Sequence, residues 1–148
     1  MLTGKILADL TEAQKQKDAP RLDTLRLLRA AIKNAEIEKG KDYRLSDEET
    51  EAVIRSSIKQ LRDAREQFAA GGRQDLVDKT DLEIKILSVY LPAELSEAEL
   101  AKLIDEAILE LGATAKDFGK VMSAVLGRTK GRAEGSKVSA LVRARLKS

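Results

Sequence analysis

Lys120, Arg128, Lys130, Arg132, Lys137, Arg143, Arg145 and Lys147 crowd the end of the sequence, interleaved with Gly119, Gly131 and Gly135. Ammonium and guanidinium groups beside glycines, whose bare backbone lets a ligand come close, are equipment for gripping a phosphate chain. From Lys116 to Ser148 there are nine Lys/Arg against Asp117 and Glu134, a net of +7, which leaves eighteen basic against twenty-three acidic residues, net −5, in positions 1 to 115. The overall +2 therefore hides a polarised sequence, and a concentrated positive field rewards docking on a polyanion through counterion release. Taken alone, the loop holding Arg128, Lys130 and Arg132 also fits a solvated turn between two helices, the commoner reading of a basic loop. The cations of the adjoining helix raise the functional reading.

Other chemistries find little to work with. The chain has no cysteine and no histidine, which removes disulfides, thiol nucleophiles, thiolate or imidazole metal ligands and the commonest general base near neutral pH. No catalytic residue, metal site or cofactor is expected. Asp47, Glu48, Glu49 and Glu51 resemble paired catalytic carboxylates, yet they crowd the first turn of a helix, where the macrodipole favours negative charge. Ser56 and Ser57 have no histidine partner and no lysine at a recognisable spacing. Gly135-Ser136-Lys137 reverses the order of a phosphate-binding P-loop, and no strand precedes it. With two Phe, two Tyr and no Trp there is no stacking platform for single-stranded bases, so a folded RNA backbone is the better match.

The elements that must position these residues are all helical in pattern. Leu2, Ile6, Leu7, Leu10 and Ala13 recur at helical spacing up to Lys17-Asp18-Ala19-Pro20, where proline suits the first turn of a new helix. Leu22, Leu25, Leu28, Ile32 and Ala35 stripe a second helix to about Lys39, with Gly40 placed to supply a left-handed cap. Ser46 and Glu49 have capping-box spacing ahead of Ile54, Ile58, Leu61, Ala64 and Phe68, and Gly71-Gly72 ends this third helix. A fourth runs from about Arg73 to Val89 with Leu76, Thr80, Ile84 and Leu87 turned inward, and Leu91-Pro92 blocks its extension. Ser96 and Glu99 repeat the capping-box spacing before Leu100, Leu103, Ala107 and Leu111, with Gly112 as C-cap. Thr114 is placed to cap a sixth helix carrying Phe118, Val121, Met122 and Val125. Val138, Leu141, Val142 and Leu146 mark a seventh, and residues 127 to 137, GRTKGRAEGSK, form the loop between them.

No segment alternates with period two, so the expected fold is all-α: an N-terminal bundle of about four helices over residues 1–92 and a small basic three-helix unit over 93–148. Ile86 to Ala93, the longest uncharged apolar stretch, falls far short of the roughly twenty residues a membrane helix needs, and Asp9 interrupts any secretory apolar region. No membrane partner and a cytoplasmic location are expected.

Three stretches, LRLLRAAIKNAEIEKG (Leu25 to Gly40), Arg73 through Glu83-Ile84 to Tyr90-Leu91-Pro92, and DFGKVMSAVLGRTKGRAEGSKVSALVRARL (Asp117 to Leu146), occur in the order and spacing of the YqeY family. The chain resembles these small bacterial proteins, made almost wholly of the GatB/YqeY domain, over nearly its whole length. Its C-terminal part is similar to the tail of the B subunit of the tRNA-dependent amidotransferase, a helical tail that contacts the outer corner of tRNA. Gly119, Lys120, Met122, Gly131, Arg132, Gly135, Lys137 and Val138 match that tail's pattern, although Glu134-Gly135-Ser136 stands where the pattern places Lys directly after Gly. The resemblance implies a link to carbon–nitrogen ligation with glutamine as amide donor, while the amidase nucleophile set and the phosphorylating cradle are both missing from this chain. The expectation is a tRNA- or RNA-binding accessory protein without stand-alone catalysis, with tRNA or another structured RNA, amidotransferase subunits or another protein as partner. The alternative is a helical protein–protein adaptor that uses no nucleic acid.

Overall fold

The computed structural model describes residues 1–146. Among these, every regular element is a helix: α1 (Leu2–Gln16), α2 (Ala19–Lys39), α3 (Asp47–Ala70), α4 (Gln74–Ser88), α5 (Glu97–Leu111), a 3-10 turn (Ala115–Asp117), α6 (Phe118–Thr129) and α7 (Gly135–Leu146). The fold is all-α. It divides into two compact units, one from Met1 to Leu91 and the other from Pro92 onward.

In the first unit the helix ends are set by local chemistry. α1 stops where Lys17 turns left-handed at φ 54° and its N–H reaches back to the carbonyls of Ala13 and Gln14. Asp18 caps α2 and Pro20 sits in its first turn, where a missing N–H costs nothing. Before α3 the capping box is reciprocal: the Glu49 N–H donates to Ser46 Oγ at 3.1 Å and the Ser46 N–H donates to Glu49 Oε1 at 3.0 Å. Gly40 departs from the expected left-handed cap. Its φ of 141° and ψ of 166° extend the chain out of α2, and Asp42 takes the left-handed conformation instead, at φ 63°. The loop is then tied back by the Leu45 N–H on Glu36 Oε2 at 3.0 Å, which leaves Gly40 free of the reversal. α4 starts at Gln74, with Arg73 as the residue before it, whose guanidinium donates to Asp75 at 2.9 Å.

The core of this unit gathers Ile6 and Leu10 of α1, Leu25, Leu28 and Ile32 of α2, Leu45, Ile54 and Ile58 of α3, and Leu87 with Tyr90 at the end of α4. Leu61 and Ile84 are half-buried against it. Tyr90 closes one edge: its hydroxyl donates to Asp9 Oδ2 at 2.6 Å, and Asp9 also faces Arg21 at 3.7 Å. Burial, then the Asp9 carboxylate, pushes the Tyr90 phenol well above its ordinary pKa. Buried Thr24, Thr50 and Thr80 donate their hydroxyls to the carbonyl four residues earlier, and among the described residues no buried side-chain nitrogen or oxygen lacks a partner. At about 1.5 Å per residue the 24 residues of α3 reach beyond this cluster, and the distal halves of α3 and α4 are joined by Arg65 to Asp81.

Candidate functional site

The second unit folds around Leu100, Ile104 and Ala107 of α5, Val121 and Val125 of α6, and Val138 and Val142 of α7, all within a tenth of full burial. Their i, i+3, i+4 and i+7 spacings put one narrow stripe per helix inward. Ser96 caps α5 by accepting the Glu99 N–H at 3.1 Å, and Gly112 ends it left-handed at φ 57°. Thr114 and Asp117 close a capping box around the 3-10 turn that leads into α6. The Thr114 N–H on the Asp117 carboxylate, helped by the Thr114 hydroxyl and the Lys120 ammonium, holds Asp117 below its usual pKa.

The basic loop is far shorter than residues 127 to 137. Gly127 and Arg128 lie inside α6, and Gly135, Ser136 and Lys137 open α7. Thr129 explains the first extension, since it is buried and its hydroxyl donates to the Leu126 carbonyl at 3.1 Å, so the helix continues through it. The chain then reverses at Lys130 and Gly131, both left-handed, at φ 49° and 78°. Of the three motif glycines only Gly131 is required by its backbone. Gly119 and Gly135 are helical, and a Cβ at either would meet nothing within 4 Å.

Several of the cations expected to face a ligand have partners within the unit. Arg132 straps the turn to the segment before α5: its guanidinium donates to the Ala93 carbonyl at 2.8 Å, and its own carbonyl accepts the Leu95 N–H at 2.8 Å. Arg128 bonds Glu110, and Arg145 faces Asp105 at 3.3 Å. Arg143 lies over the Phe118 ring, 5.1 Å from its centroid. Lys120, Lys130 and Lys137 are exposed. Lys147 lies outside the described residues.

One surface feature escapes the residue pattern altogether. The α5 face turned away from the core, from Ala98 and Ala101 through Lys102, Asp105 and Glu106 to Leu109, joins Arg145 of α7 in lining an open groove of about 490 Å³. Leu109 in it is 83% exposed. The expected stripe on α5 omits Ile104, which is fully buried, and includes Leu111, which is about half exposed, while Leu103 packs half-buried against the core. α5 carries leucine or isoleucine on more than one side, at Leu103, Ile104, Ile108, Leu109 and Leu111, and this surplus is the signal that not every apolar residue has a place inside. Among the described residues no cluster of three or more Asp or Glu could hold a metal ion, and no helix is long and apolar enough to cross a membrane.

A family model described as Yqey-like protein matches residues 3–146. The chain is also similar to three proteins named "Altered inheritance of mitochondria protein 41, mitochondrial". The one from Pyrenophora tritici-repentis is 31% identical over 135 residues, 89% of this chain and 73% of that protein. The one from Eremothecium gossypii is 34% identical over 108 residues, 72% of this chain and 58% of that protein. The one from Lachancea thermotolerans is 36% identical over 107 residues, 70% of this chain and 56% of that protein. The chain thus spans little more than half the length of the latter two. These names correct two expectations. A tRNA- or RNA-binding accessory of the amidotransferase system is overturned, since the relatives are named for the inheritance of mitochondria and not as amidotransferase accessories. A cytoplasmic location is overturned as well, since each of these relatives is named mitochondrial.

Proposed function

The chain belongs to the Yqey-like protein family, and from that premise we propose that it serves as a protein-docking module whose contact surface is the outer face of α5. One observation carries this reading: Leu109, at 83% exposure, stands in a groove whose other lining is two alanines and charges of both signs. Covering a leucine side chain is worth roughly 1.5–3 kcal/mol, enough to anchor a contact yet too little to hold one alone. The small side chains of Ala98 and Ala101 let a partner backbone come close. Lys102, Asp105, Glu106 and Arg145 surround them with mixed charge, the polar rim of a transient interface. The partner that fits is an amphipathic helix or strand with one large apolar side chain for Leu109 and flanking charges of both signs.

The test is affinity capture from the source cell with the full chain as bait, comparing wild type, Leu109→Lys and the surface control Lys79→Ala. Proteins retained by wild type and Lys79→Ala but lost with Leu109→Lys, identified by mass spectrometry, are the expected outcome. Identical profiles for all three baits would show that the α5 face is not the docking surface.

A further inference from the structure

We propose that α2 carries a second interface, through which two copies of this chain pair in parallel and in register. Leu27, Ala30, Asn34 and Ile37 follow one another at spacings of three, four and three, the a, d, a, d positions of a coiled-coil seam. All four are exposed, Leu27 at 67% and Ile37 at 68%. In the same register the core-facing residues Leu25, Leu28, Ile32 and Ala35 fall at f and b, on the opposite side of the helix, so α2 has one stripe for its own core and another left open.

The residues beside the open stripe select the occupant. Between two parallel copies each g position faces the e' position five residues on, which sets Lys33 against Glu38 of the other copy, twice by symmetry, and Arg26 against Ala31. Antiparallel pairing of the same seam, with Leu27 opposite Ile37 and Ala30 opposite Asn34, brings g to g' and sets Lys33 against Lys33 of the other copy, a like-charge contact. Asn34, alone among the four as a polar residue, meets its own copy across the axis only in the parallel register. A single asparagine at an a position fixes register and two-strandedness at a cost in stability. The seam is short, bounded by Asp23 and Lys41 at the next d and a positions, so it gives a weak, concentration-dependent dimer of the small-interface class.

The chain has no cysteine, so Asn34→Cys introduces a single thiol that oxidation can join only to its equivalent in another copy. In the full chain at about 100 μM, this variant is expected to form disulfide dimer at least tenfold faster than Lys79→Cys, whose thiol lies on α4. Adding Leu27→Glu and Ile37→Glu, both at exposed positions that leave the core intact, should return the rate to that of the control, with circular dichroism verifying the fold. Equal rates for Asn34→Cys and Lys79→Cys, or a rate unmoved by the two glutamates, would overturn the proposal. So would cross-linking of mixed Ala30→Cys and Asn34→Cys chains without self-linking of Asn34→Cys, the result that antiparallel pairing gives.

Discussion

Glu49 shows how one side chain gathers several local demands. Its carboxylate takes the Lys39 ammonium, the Ser46 N–H and the Tyr43 hydroxyl, and in that order these hold its pKa at about 2 against an ordinary 4.5. A carboxylate depressed on folding contributes stability that is present above the unfolded value and is lost as pH falls through the folded one. Glu49→Gln should therefore lower stability at pH 6 and flatten its fall between about pH 4.5 and 2, checked by urea unfolding at pH 6 and pH 2.5; an unchanged fall would show that Glu49 is not linked to folding. Glycines divide by a similar test. Gly131→Ala forces a Cβ into φ 78° and should cost about 1–2 kcal/mol, whereas Gly127→Ala, helical with open space around it, should gain about 0.5–1 kcal/mol. The capping box of Ser46 and Glu49 is legible in the sequence because both partners lie within four residues. The partners of Arg128 and Arg132, Glu110 and Ala93, are separated from them by 18 and 39 positions, so a run of cations reads as a free basic loop until the fold brings those groups together.

At the scale of the helix, apolar periodicity locates the buried stripe where a helix packs on one side, as in α6 and α7, and loses precision where apolar residues exceed the space inside. On α5 the surplus falls to Leu109 and Leu111, and on α2 to Leu27 and Ile37. The end of α6 was hidden for a different reason: Gly127 reads as a helix breaker, yet buried Thr129 draws the helix onward past it. Burial, not position in the stripe alone, sets the cost of truncation. Ile58→Ala, at 4% exposure, should destabilise the first unit by about 2–5 kcal/mol, and half-buried Leu61→Ala by less. Thermal or urea melts of both variants give the order, and a larger loss at Leu61 would mean that α3 sits differently on the core.

On the scale of the whole chain, the division at Leu91 and Pro92 follows from two separate cores, each closed by its own helices. Residues 1–91 expressed alone should unfold cooperatively with a helical spectrum, and a non-cooperative melt would mean that the first core depends on the second unit. The all-α class and the family are legible in the sequence because both are distributed over many residues. The proposed docking face is not, since its one large apolar side chain, Leu109, lies on the outer side of a helix whose inner side is known only once the unit is folded. That face is tested most directly by a photo-crosslinking amino acid placed at residue 109 of the full chain in the source cell, with residue 79 as control. A discrete protein adduct is expected from position 109, abolished by the charge reversal Glu106→Lys or by competition with the wild-type chain, and none from position 79. The same adducts from both positions, or none from position 109, would contradict docking at this face.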